Sequence, residues 1–98
     1  MNSSIINLTS VQCIRNLRLT RLDSNSIYLR WDHEEKFEKY IVKYRYITRP
    51  GDKALTTKKS AINFSRIRSN QKLEFSVQGI TAKGNPGSIG KIFAHTRK

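Results

Sequence analysis

Hydrophobic and polar positions alternate along most of this chain with a period of two. The stretch Glu38–Ile47, EKYIVKYRYI, shows it best: Tyr40, Val42 and Tyr44 alternate with Ile41, Lys43 and Arg45. That is the pattern of a strand with one buried face. Tyrosine and valine suit a pleated, half-buried surface. An unpaired lysine or arginine is costly to bury, so the Lys43–Arg45 side faces water or a partner. The rest of the chain is expected to pack on the tyrosine face or to decorate the basic one.

The same alternation recurs in order along the chain. Val11–Thr20 offers Leu17 and Leu19 inward, and Asp23-Ser24-Asn25-Ser26 is a turn cluster. In Ser26–Trp31, Ile27, Leu29 and Trp31 alternate with Tyr28 and Arg30; Trp31, the only tryptophan, reads as the largest filler of the core. The acidic connection Asp32–Phe37 leads into the central strand, and Thr48-Arg49-Pro50-Gly51-Asp52 turns the chain out of it. Ala54–Ser60 is expected as a short edge strand whose Lys58 and Lys59 discourage edge pairing. Ala61–Ile67 places Ile62 and Phe64 inward, and Lys72–Ile80 places Leu73, Phe75 and Val77 inward. After the Ala82–Gly87 glycine-proline loop, Ser88–Thr96 closes the chain with Ile92 and Ala94. These are about seven short strands with turn signals roughly every ten residues and no helical period. The fold class is all-β, a seven-stranded antiparallel β-sandwich, with a small closed barrel as the alternative. The expected core holds Trp31, Tyr40, Val42, Tyr44, Phe64, Phe75 and Val77.

With 98 residues, the chain makes one domain, read as a flexible lead-in over 1–10 and a folded unit over 11–98. It carries 19 Lys+Arg against 7 Asp+Glu, a net charge of +12, which favours polyanionic partners. Four of the seven acids, Asp32, Glu34, Glu35 and Glu38, sit in or beside one short connection. From Lys53 to the end, ten basic residues face a single acid, Glu74. The only cysteine, Cys13, excludes an internal disulfide; it reads as a small residue near the first strand, with pairing to a neighbouring domain as the alternative. No apolar run approaches the roughly 18 residues of a membrane span. The start MNSSIINLTS lacks the charged and apolar regions of a signal peptide, so an export signal of the parent protein is expected outside this chain.

Catalytic signals are thin. His33 and His95 have no cysteine or acidic cluster at metal-ligand spacing, no serine sits in Gly-x-Ser-x-Gly, and no glycine-rich motif precedes a helix. The reading is a non-enzyme without metal or cofactor. Of three sequons, at Asn2, Asn7 and Asn63, the last is the glycosylation candidate, because Phe64 points inward and Asn63 outward.

From Val11 to Thr96 the residues resemble a fibronectin type III domain. The matching positions are Asn16-Leu17, Trp31, Tyr40-x-Val42-x-Tyr44, Ile67, Phe75-x-Val77-Gln78-Gly79, Gly84, Gly87, Ser88 and Thr96. The chain departs from the pattern where the family usually has a tyrosine after the turn between its fifth and sixth strands. Here Leu73 stands in that place and Arg68-Ser69-Asn70-Gln71 lacks the usual proline, so other contacts must hold that corner. The loop Lys83–Gly87 carries no Arg-Gly-Asp, Arg49-Pro50-Gly51-Asp52 has proline interposed, and the tryptophan–serine repeat of cytokine receptors is missing.

The resemblance implies that the central, sixth and last strands share a sheet with Ala54–Ser60 at its edge. Lys43, Arg45, Lys58, Lys59 and Lys91 then form a polyanion- or partner-binding set beside hydroxyls, amides and the exposed Phe93. The expected function is a non-catalytic extracellular or cell-surface interaction or adhesion module of a larger receptor or matrix protein, next to other domains of the parent chain. Its basic face would bind heparan sulfate or an acidic protein. The alternatives are a structural spacer with incidental charge and an intracellular nucleic-acid or acidic-protein binder. The sequence has neither a basic helix for the major groove nor the aromatic motif of an RNA-binding sheet, which disfavours nucleic acid.

Overall fold

A computed structural model of the chain describes residues 14–97. Cys13, the lead-in 1–10 and the sequons at Asn2 and Asn7 lie outside the described residues. Seven strands follow in order: β1 (Arg18–Leu22), β2 (Ile27–Arg30), β3 (Phe37–Tyr46), β4 (Lys53–Thr57), β5 (Ala61–Phe64), β6 (Lys72–Thr81) and β7 (Pro86–His95). They form two antiparallel sheets, ordered β1-β2-β5 and β4-β3-β6-β7, and no helix occurs among the described residues. The open sandwich, not the closed barrel, is the outcome, with the strands shared between sheets as expected.

The alternations meet between the sheets. Tyr40 and Val42 of β3, Leu73, Phe75 and Val77 of β6, and Ile27 and Leu29 of β2 are all fully buried. Register brings Val42 opposite Val77 and Tyr44 opposite Phe75. Trp31 lies edge-on to Tyr40 with ring centroids 5.3 Å apart. At the other end of the core Tyr44, Phe64 and Phe75 form a second aromatic cluster, with centroids 5.0–5.8 Å apart.

Four expectations are corrected. Among the described residues, pairing of the first strand starts at Arg18, because Arg15–Asn16 is a turn with Asn16 in the left-handed region (φ 55), and the expected start over 11–13 lies outside them. Phe37 belongs to the core rather than the acidic connection. A register shift between Phe37 and Lys39 lets Phe37 and Tyr40 both face inward although they are three positions apart, which a period of two cannot show. Tyr44 is only half-buried, because it lies where the sandwich opens into a cleft at one end. Finally, β4 ends at Thr57, leaving Lys58 and Lys59 beyond it in the connection to β5.

The corner without its tyrosine is tied by two other hydroxyls. Thr96 is fully buried, and its Oγ1 donates to the Arg68 carbonyl (2.7 Å) while accepting from the Gln71 N–H (2.9 Å). Tyr46, reaching over from β3, accepts from the Arg68 N–H at 2.9 Å. Replacing Thr96 by valine keeps the shape and leaves two backbone groups unpaired, an expected loss of about 1–3 kcal/mol. A denaturant titration should show the lower midpoint, and hydrogen exchange should show a faster Gln71 amide. An unchanged midpoint with a protected amide would mean the hydroxyl does not tie the corner.

Candidate polyanion-binding face

The outer face of the four-stranded sheet is built by residues of opposite parity to the core. Across the sheet, register aligns Ala54, Lys43, Ser76 and Lys91 in one row, with Arg45, Glu74 and Phe93 in the next. Strand spacing puts the backbones of Lys43 and Lys91 about 10 Å apart, and Arg45 stands about 7 Å along β3 from Lys43. These separations are comparable to the screening length of roughly 8 Å at physiological salt, so the three charges act together. A shallow depression of about 340 Å³ is lined by Lys43, Arg45, Ser76, Ile89 and Lys91 together with two acids, Asp52 and Glu74. Ile89 and Phe93, 48% and 55% exposed, give the β7 side of this face an apolar border.

Glu74 organises the cluster. Its Oε1 accepts from the Arg45 Nε at 2.7 Å, and its Oε2 lies 3.6 Å from the Lys91 ammonium. The hydrogen bond from Arg45 holds the carboxyl below its ordinary range. Partial desolvation works against this, while the charges of Arg45 and Lys91 add to it. The carboxylate is therefore charged at neutral pH, and the triad separates only as pH falls through that depressed value. Sequence reading marked Glu74 as the single acid from Lys53 onward; that it clamps two of the candidate cations required the registers of β3, β6 and β7.

The five candidate cations thus divide. Lys43, Arg45 and Lys91 are brought together. Lys58 and Lys59 are not, since Ala54 is the β4 partner of Lys43 while β4 runs on through Thr57 before either lysine. They are exposed at the far end of β4, where the Lys59 N–H donates to Thr57 Oγ1 at 3.1 Å. Asn63 is exposed on β5, in the opposite sheet. In the acidic connection, Glu34 and Asp32 pair with Arg15 (3.7 Å) and Arg18 (3.8 Å). His33 Nδ1 lies 3.1 Å from the Tyr40 hydroxyl. Among the described residues no three His, Cys, Asp or Glu side chains gather as a metal site.

The family model of the fibronectin type III domain matches residues 12–91. The chain belongs to the fibronectin type III family. Among solved structures, the domain is similar to the fn3 domain of the human collagen alpha-1(XX) chain. The TM-score is 0.79 and the identity 17%, over 87% of this chain and 84% of that one. It is similar to the FN5 domain of Drosophila Lar at TM-score 0.72 and 18% identity, over 88% and 96%. It also matches the FN1–FN3 domains of chicken CNTN1 at TM-score 0.76 and 17% identity, over 88% of this chain and 32% of that one. At these identities the likenesses carry the fold. No curated protein sequence matches the chain significantly. Fibronectin type III domains are generally non-catalytic modules that sit beside other domains in larger receptor, matrix and cell-surface proteins. No helix among the described residues is long and apolar enough to cross a membrane.

Proposed function

We propose that this fibronectin type III domain is an interaction module of a larger extracellular or cell-surface protein, binding a linear polyanion of the heparan sulfate type through its outer sheet face. The observation that carries this reading is the convergence of Lys43, Arg45 and Lys91 beside two acids, Glu74 and Asp52, at spacings where the fields of the cations add. The glycosylation candidate Asn63 stands on the opposite sheet, so a sugar there leaves this face open. The Glu74 ion pairs favour the competing reading, a spacer domain whose charges are satisfied within the sheet.

Salt-resolved heparin chromatography separates the two readings. Polyanion binding gains from counterion release, so it weakens steeply with salt. Lys43→Glu with Arg45→Glu should elute at much lower salt than Arg15→Glu with Arg21→Glu, which changes net charge equally on the other sheet and its flank. Glu74→Gln, which frees Arg45 and Lys91, should elute later than Glu35→Gln, and circular dichroism checks that each variant is folded. Equal shifts within each pair would mean diffuse attraction, and the spacer reading would then stand.

A further inference from the structure

A second concentration of positive charge lies at the end of the sandwich, built by two chain reversals far apart in sequence. One follows β3 through Arg49-Pro50-Gly51-Asp52, with Gly51 at φ 97 making the turn. The other follows β5, where Ile67 is buried and its N–H donates to the Asn25 carbonyl at 2.9 Å. Anchoring Ile67 leaves its chain neighbours Arg66 and Arg68 exposed. The two reversals border a cleft of about 500 Å³, lined by Tyr44, Tyr46, Arg49, Lys53, Arg66 and Arg68.

The cleft is an array of donors. Asp52 is the one acid lining it, and none of Arg49, Lys53, Arg66 and Arg68 has an ion-pair partner within 4.0 Å among the described residues. Tyr46 accepts from the Arg68 N–H, which leaves its own hydroxyl proton free to donate. Tyr44 has no hydrogen-bond partner among the described residues, and burial, followed by the neighbouring Tyr46, pushes its pKa up, so the phenol stays protonated. Unpaired like charges around a concavity repel one another and focus the field on an incoming anion. Arg66 adds a second kind of evidence. At φ 61 it holds a left-handed conformation, whereas the other such non-glycine residues among those described are Asn16 and Asn70, the type that fits there. The strain is about 1–2 kcal/mol, and asparagine would ease it without placing a guanidinium at the cleft. Strain kept at a cleft residue is an outlier from which a binding role is inferred.

We propose that this cleft binds a tetrahedral oxyanion ester, sulfate or phosphate, with Arg66 and Arg68 on one wall and Arg49 and Lys53 on the other. The site adjoins the depression on the sheet face, with Tyr44, Arg45 and Asp52 lining both, while Arg49, Lys53, Arg66 and Arg68 line only the cleft. The test titrates the ¹⁵N-labelled domain with sucrose octasulfate and, separately, inositol hexakisphosphate at about 0.15 M salt. Saturable shifts should centre on the Gly51, Arg66 and Arg68 amides, and the tighter probe identifies the ester. Arg66→Gln with Arg68→Gln should weaken binding about tenfold or more. Lys43→Gln with Lys91→Gln removes the same charge from the sheet face and should weaken it about threefold at most. Arg66→Asn should bind more weakly while melting at or above the wild-type temperature, which excludes misfolding as the cause. Shifts confined to the sheet face, equal losses in the two double variants, or full affinity in Arg66→Asn would each overturn the proposal.

Discussion

Replacing Trp31 by alanine is expected to destabilise the domain by roughly 3–5 kcal/mol, the range for deleting a buried indole. That is a large fraction of the roughly 5–15 kcal/mol that holds a small domain together. Trp31 is 2% exposed and lies edge-on to Tyr40 between the two sheets. It directly follows β2, and its N–H donates to the Ser60 carbonyl at 3.0 Å, so neighbouring backbone has little freedom to close the void. The indole Nε1 is buried without a hydrogen-bond partner among the described residues. Phenylalanine at this position therefore removes volume but no hydrogen bond, and Trp31→Phe should cost clearly less than Trp31→Ala. Denaturant titrations followed by far-ultraviolet circular dichroism check both, since the intrinsic fluorophore is lost in each. Equal costs would mean that an aromatic ring at this position recovers none of the packing lost with the indole.

Gly79→Ala should also be strongly destabilising, against the usual gain from replacing glycine in a strand interior. Gly79 sits in β6 opposite Tyr40, and a methyl group there would overlap the ring of Phe37. That ring cannot retreat freely: it is 4% exposed and packs edge-on to Tyr40 at 5.8 Å, and Gly87 borders its other side. Overpacking of this kind costs about 1–3 kcal/mol. Once Phe37 is alanine the obstacle is gone, so Gly79→Ala should be neutral or stabilising in that background. A double-mutant cycle measures the difference. Additive costs would mean the ring swings aside without penalty.

The strands were legible because a period of two is a local property. Tyr40-x-Val42 and Leu73-x-Phe75-x-Val77 declare their buried faces within a few residues, and all five are fully buried. The family resemblance then supplied the sheet order that alternation alone cannot provide. Phe37 escaped because a register shift puts it in phase with Tyr40 at an odd spacing. The expected tie between Lys58 and the sheet face failed because β4 stops at Thr57.

By itself the sequence determined the class of fold, most of the core and the excess of positive charge, since burial patterns and net charge depend on residue type and near neighbours. Tertiary structure decided where that charge gathers. Arg45 and Lys91 meet Glu74 only through the pairing of β3, β6 and β7, and Thr96 replaces the missing corner tyrosine across 25–28 residues of chain. The cleft joins Arg49 and Lys53 to Arg66 and Arg68 from two separate reversals. Each of these depends on register and on where turns come to rest in space, and neither quantity is written in the periodicity of any one segment.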